Sequence, residues 1–215
     1  DLGLAFDGDA DRLIAVDEHG QMVDGDQIMV ICGLDMMERG VLKKNTVVGT
    51  IMSNLGFDIA LRDAGCNFIK TTVGDRYVLE KMLEEGYSIG GEQSGHIIFL
   101  DYNTTGDGLL TALQLLNVMK RKNGKLSDLA SVMERLPQIL VNVKVENDKK
   151  NLYKEDDEIT KAIQSIEDQL KDEGRVLIRP SGTEPLIRIM IEGREQKEIE
   201  GYAIKLADLF KKKLV

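Results

Sequence analysis

The sequence predicts an α/β chain: a mixed, mostly parallel sheet domain layered with helices, followed by a small C-terminal α+β domain. Three observations carry that expectation. Between residues 46 and 100, short apolar runs alternate with helical stretches, which is the pattern of βαβ units. Beyond Pro137 the order becomes strand, helix, strand, strand, helix, enough for a separate unit of about 75 residues. The chain of 215 residues is 42% hydrophobic and has no Trp, so it can fill a domain-sized core that must be aliphatic.

Each element has a local reason. "LGLAF" and "LIAV" are short apolar runs bounded by turn residues, so they read as strands on either side of "DGDADR". "DEHGQ" is a turn. A helical pattern begins near Asp26, with Asp24 or Asp26 as its cap. "TVVGTI" and "CNFIKTTV" read as strands, and "SNLGFDIALRDAG" between them as a helix capped by Ser53. "DRYVLEKMLEEG" is expected to place Val78, Leu79, Met82 and Leu83 on one helix face. "YSIGGE" and "HIIFL" are strands around a glycine turn. "DGLLTALQLLNVMKRKNG" is a helix whose Leu109, Leu113 and Leu116, spaced four then three, mark its apolar face. A boundary is expected at 135–140. "ILVNVKV" is then a strand, and "NDKKNLYKEDDE" a charged loop entering a helix with Ile159, Ile163, Ile166 and Leu170. "RVLIR" and "LIRIMIEG" are strands, with Ile187, Ile189 and Ile191 alternating with Arg188, Met190 and Glu192. A last helix carries Ile199, Ala203, Leu206 and Phe210.

Composition excludes several classes. The formal net charge of −9 argues against a nucleic-acid binder. No apolar run approaches the roughly 18–20 residues of a membrane span, and no signal peptide opens the chain. Cys32 and Cys66 lack metal or redox spacing, so they read as buried thiols of a cytoplasmic protein. The sequon at Asn103 is then a coincidence. The chain opens at Asp1 in mid-strand, so a segment upstream of it is expected.

Four loops carry chemistry. In "DGDADR", Asp7, Asp9 and Asp11 can turn alternate carboxylates toward one point, where each raises its neighbours' pKa unless a divalent cation intervenes. All-oxygen ligands favour Mg²⁺ or Ca²⁺ over Zn²⁺. A solvated acidic turn is the bland alternative. An EF-hand is the sharper one, and it fails because Arg12 stands where that loop needs glycine and the flanks are strands. "TTVGDRY" runs from a strand into a helix start with Arg76 beside it, either an anion site or a plain capped turn. "GGEQSGH" offers Glu92, Gln93, Ser94 and His96 on a glycine-rich turn, suited to a polyhydroxylated ligand. "RPSGTEP" offers Arg179, Ser181, Thr183 and the amides of Gly182 and Thr183 to one phosphate, with Arg188 on the next strand.

In this order the loops resemble those of the α-D-phosphohexomutase family along the whole chain: "DGDADR" its metal loop, "GEQSGH" its sugar loop, "RPSGTEP" its phosphate loop. "GEQSGH" with Gln93, and "VGDRYVLE", are most similar to the members acting on glucosamine phosphate. The resemblance implies four domains around a cleft, with residues 1–30 ending the second, 31–136 forming the third and 137–215 the fourth. It implies that a phosphoserine exchanges its phosphoryl group with glucosamine 6-phosphate through a bisphosphorylated intermediate, giving glucosamine 1-phosphate for amino-sugar nucleotide and cell-wall precursor synthesis. Asp7, Asp9 and Asp11 would hold Mg²⁺. Arg12 would sit by the transferring phosphate and His96 by the reacting hydroxyl, as the catalytic pair. Glu92 and Ser94 would bind sugar hydroxyls. Arg179, Ser181, Gly182, Thr183 and Arg188 would hold the resting phosphate. No serine here lies in the family's phosphoserine motif, so the chain alone is expected to be inactive. Rivals are a mannose- or glucose-phosphate member of the family, and a non-catalytic sugar-phosphate binding module. The expected partner is a phosphosugar, not nucleic acid or membrane, and a homodimer is compatible with the sequence.

Overall fold

Two short apolar runs separated by six loop residues close into a hairpin. In the computed structural model, which describes all of residues 1–215, β1 (Gly3–Phe6) pairs antiparallel with β2 (Leu13–Val16), from Gly3 opposite Val16 to Phe6 opposite Leu13. β3 (Met22–Val23) adds to the other edge of β2. Leu13 and Ala15 turn to the core while Ile14 and Val16 stay half-buried, the period of two expected of a strand with one face covered. α1 (Gly25–Glu38) follows under a capping box: Asp24 accepts from the Gln27 amide at 3.2 Å, and the Gln27 side chain accepts from the Asp24 amide. Five consecutive residues of α1, Ile28 to Cys32, are buried, as in a helix surrounded by protein on all sides.

The chain separates into two units, Asp1–Arg135 and Leu136–Val215. In the first, β4 (Thr46–Thr50), α2 (Leu55–Asp63), β5 (Asn67–Thr71), α3 (Asp75–Glu85), β6 (Ile89–Gly91), β7 (Ile97–Phe99), α4 (Gly108–Lys122) and α5 (Leu126–Ala130) complete the fold. The sheet order is β5-β4-β6-β7. β4 runs parallel to β5 and β6, and β7 is antiparallel to β6, so the sheet is mixed. Central β4 is buried throughout and has no alternation, because both its faces are covered. Val47 packs into the main core with Ile28, Met29, Phe57, Leu61 and Leu115. Val48 packs on the opposite face with Val78, Met82, Tyr87 and Ile98. Leu13, Ala15 and Val23 belong to the main core, so residues 1–30 share the interior of this unit.

Three expectations change. The buried face of α4 is Thr111, Ala112, Leu115 and Val118, whereas Leu109, Leu113 and Leu116 are exposed. Both stripes have helical spacing; the face with small residues is buried because α4 lies against α1. On α3, Val78 and Met82 are buried but Leu83 is exposed. Asn54, not Ser53, caps α2, accepting from the Gly56 amide at 3.0 Å.

In the second unit, β8 (Gln138–Lys144), α6 (Asp157–Leu170), β9 (Gly174–Pro180), β10 (Leu186–Gly193) and α7 (Gln196–Leu214) form an antiparallel sheet in the order β8-β10-β9 with two helices on one face. Asp156 caps α6 through the Glu158 and Ile159 amides. Ile187, Ile189 and Ile191 face Ile159, Ile199, Leu206 and Phe210. Met190 and Glu192, on the other face, are also buried; Glu192 accepts from Arg175 at 2.5 Å.

Candidate functional site

The β1–β2 hairpin sets the acidic loop. Ala10 takes a left-handed φ of 60°, uncommon for a residue with a Cβ. The turn is closed by the Ala10 amide donating to Asp7 O at 3.3 Å and the Arg12 amide donating to Asp7 Oδ1 at 3.2 Å. Carboxylate oxygens of Asp7, Asp9 and Asp11 lie within 4.8 Å of one another. Asp7 and Asp9 are exposed and Asp11 is half-buried. The Arg12 guanidinium lies 3.7 Å from Asp7.

Asp11 is the best-held member. His96 Nδ1 lies 2.9 Å from Asp11 Oδ2, and this hydrogen bond holds the Asp11 carboxyl below the usual carboxylate range. Asp11 Oδ1 is buried with no hydrogen-bond partner. Such an atom costs free energy unless something binds it. Three clustered carboxylates with one unsatisfied buried oxygen therefore fit a hard divalent cation.

His96 is itself buried and fixed at both nitrogens. The Gly106 amide donates to Nε2 at 3.1 Å, so Nε2 is an acceptor and Nδ1 carries the proton given to Asp11. Both ring nitrogens thus have partners within the chain, and the Asp75 carboxylate lies 3.9 Å from Nε2. A Cβ on Gly106 would lie 2.5 Å from the His96 ring, so glycine is what lets the ring sit there. "TTGDG" is the signal that sequence reasoning passed over: Gly106 supports His96, Asp107 caps α4 through the Leu110 amide at 2.9 Å, and the Gly108 amide donates to Ala10 O.

The "GGEQSGH" turn is tied to the metal loop by its backbone. The Leu13 amide donates to Gly95 O at 3.1 Å, and Arg12 and His96 form a single β-bridge. Gly95 has φ of 94°, and a Cβ there would meet Leu13 O at 2.2 Å. Glu92 accepts from the Gly74 amide at 3.1 Å, just before α3, while Ser94 is exposed. The helix start in "TTVGDRY" thus faces a carboxylate, and Arg76 pairs along its own helix with Glu80 at 2.7 Å. Asp7, Asp9, Asp11, Arg12 and His96 come together here, with Glu92 and Ser94 on the adjoining turn.

In the second unit, "RPSGTEP" is the β9–β10 hairpin turn. The Ser181 amide donates to Leu186 O at 2.9 Å, and the Glu184 amide donates to Ser181 Oγ at 3.1 Å. Arg179 and Arg188 are directly opposite across the strands. Like charges so placed repel unless an anion sits between them, and only Arg188 has a carboxylate partner, Glu184 at 3.2 Å. Gly182 and Thr183 are exposed at the tip.

Comparison with known proteins agrees with this anatomy. Residues 24–136 match the model of the phosphoglucomutase/phosphomannomutase alpha/beta/alpha domain III, and residues 140–209 that family's C-terminal domain. Phosphoglucosamine mutases of Alkaliphilus oremlandii and Caldanaerobacter subterraneus are 60% and 62% identical over 214 residues, which cover 100% of this chain and 48% of each relative. The chain thus spans about half the length of the curated relatives it matches. N-acetylphosphoglucosamine mutase of Aspergillus fumigatus superposes with a TM-score of 0.80 at 20% identity, over 99% of this chain and 48% of that one. The same fungal enzyme in complex with GlcNAc-6P and magnesium gives 0.76 at 20% identity, over 97% and 48%. A phosphoglucomutase/phosphomannomutase family protein of Burkholderia thailandensis gives 0.80 at 21% identity, over 100% and 48%. With one domain model matched over more than half its length and a second over most of the rest, the chain belongs to the phosphoglucomutase/phosphomannomutase family.

Proposed function

We propose that this chain is the metal-, sugar- and phosphate-binding half of a phosphoglucosamine mutase, which interconverts glucosamine 6-phosphate and glucosamine 1-phosphate. The observation that carries the reading is the Asp7, Asp9, Asp11 cluster, in which His96 holds Asp11 through Oδ2 and leaves the buried Oδ1 unsatisfied. Identity of about 60% to phosphoglucosamine mutases supports the amino-sugar substrate over mannose or glucose phosphates. In the whole protein, residues 1–30 would close a second domain, 31–136 form the third and 137–215 the fourth.

Asp7, Asp9 and Asp11 would hold Mg²⁺, as the magnesium complex of the fungal relative supports. When bound, that cation neutralises charge on the transferring phosphoryl group. Arg12 contributes a second positive charge at the same loop. His96 holds Asp11 through Nδ1 and so sets the ligand geometry, as outer partners of metal ligands do. Glu92 and Ser94 bind sugar hydroxyls, Glu92 while fixing Gly74. Arg179, Ser181, Gly182, Thr183 and Arg188 hold the phosphate that does not react. The nucleophilic serine is contributed by the other half of the protein, so the chain by itself should not turn over. Glucosamine 6-phosphate, mannose 6-phosphate and glucose 6-phosphate offered to the complete protein test the reading. Preference for mannose or glucose phosphate would overturn the substrate, and no turnover of any would overturn the function.

A further inference from the structure

The stretch "NDKKNLYKEDDE" reads as a plain charged loop, yet Lys150 within it is buried, the one lysine of the sequence that is. Its Nζ donates to the main-chain oxygens of Ser181, at 2.7 Å, and Glu184, on the inner side of the β9–β10 turn. No carboxylate pairs with it. Two carbonyls satisfy protons of the ammonium but leave its charge uncompensated, which is costly inside a protein.

The geometry has a directional consequence. Peptide units are planar and trans, so the carbonyl of Ser181 and the amide N–H of Gly182 point opposite ways. With the Ser181 carbonyl tied inward to Lys150, the Gly182 N–H is aimed outward, where it has no protein acceptor. A Cβ at Gly182 would meet nothing within 4 Å, so the outer side of the turn is open. Arg179 and Arg188 add positive charge on the two strands that enter and leave it.

We propose that Lys150 is a positioning residue for phosphate: it fixes the turn so that the Gly182 amide faces the anion, and it places its ammonium group behind that amide. A bound phosphate in turn compensates the buried ammonium. This inference rests on the reading of 181–183 as a phosphate site.

The test is a titration of the ¹⁵N-labelled chain with inorganic phosphate, followed at the Gly182 amide by NMR. The wild type should show a saturable shift. Lys150→Met should weaken phosphate by about tenfold or more, and Lys150→Arg should recover most of the loss. Wild-type affinity in Lys150→Met overturns the role of Lys150 while leaving the phosphate site standing. No shift at Gly182 in the wild type overturns the phosphate site, and the role of Lys150 with it. If Lys150→Met does not fold, the wild-type Lys150 ammonium resonance decides. Its protons should exchange slowly and shift as phosphate saturates, and an unchanged ammonium signal overturns the proposal.

Discussion

Gly106→Ala is the most informative single substitution in the first unit. The added Cβ would lie 2.5 Å from Cε1 and Nε2 and 2.6 Å from Cδ2 of the His96 ring. The ring is buried and held at both nitrogens, so it has no free direction in which to yield. Overpacking of this kind costs about 1–3 kcal/mol, which for a chain of this size is a fall in Tm of roughly 3–9 °C. Displacing His96 also withdraws the hydrogen bond that orients Asp11. Loss of such an outer partner typically weakens a metal site about 10–100-fold. Circular dichroism melting gives the first number, and Mn²⁺ titration followed by electron paramagnetic resonance, with Mn²⁺ standing in for Mg²⁺, gives the second. A variant that melts within about 1 °C of wild type would refute the packing argument. Unchanged Mn²⁺ affinity in a destabilised variant would refute the link from Gly106 through His96 to Asp11.

Three further outcomes are expected. Glu18 accepts from the Ser127 hydroxyl at 2.5 Å, and chiefly this bond lowers its pKa from 4.5 to about 2. Its contribution to stability is therefore complete above pH 4.5 and is lost as pH falls through about 2. Ser127→Ala should flatten that part of the stability–pH curve measured by denaturant unfolding, and an unaltered curve would contradict the assignment. Leu115→Ala should cost about 2–5 kcal/mol and Leu113→Ala within about 0.5 kcal/mol; equal losses would return α4 to its expected face. Arg179→Met should leave the anion-free Tm unchanged or raised, by relieving repulsion with Arg188, while reducing the Tm gain on adding phosphate. A lowered anion-free Tm with an undiminished phosphate response would count against an anion between the arginines.

The legible parts of the sequence are those governed by neighbours in the chain. The spacing of Asp7, Asp9 and Asp11 needs only a loop between two strands to gather the carboxylates, and the hairpin supplies it. Asp24 and Gln27 stand at capping-box spacing, and the alternation at Ile187, Ile189 and Ile191 is a strand's own period. What stayed hidden depends on contacts across the fold. His96 meets Asp11 from 85 residues away, and Lys150 meets Ser181 from 31. Neither pairing leaves a local periodicity. The buried face of α4 was ambiguous because leucines occur on two faces, and only the nearness of α1 selects Ala112 and Leu115. Nothing in the local sequence marks Gly106, because its constraint comes from the His96 ring packed against it.

The most direct test of the central claim is ³¹P NMR of glucosamine 6-phosphate with Mg²⁺, recorded with this chain alone, with a separately prepared N-terminal half of a 60%-identical phosphoglucosamine mutase alone, and with the two combined. The account predicts a glucosamine 1-phosphate resonance only in the combined sample, and its loss when the chain carries Asp11→Asn. Isomerisation by this chain alone, or by the combined halves irrespective of Asp11, would contradict it.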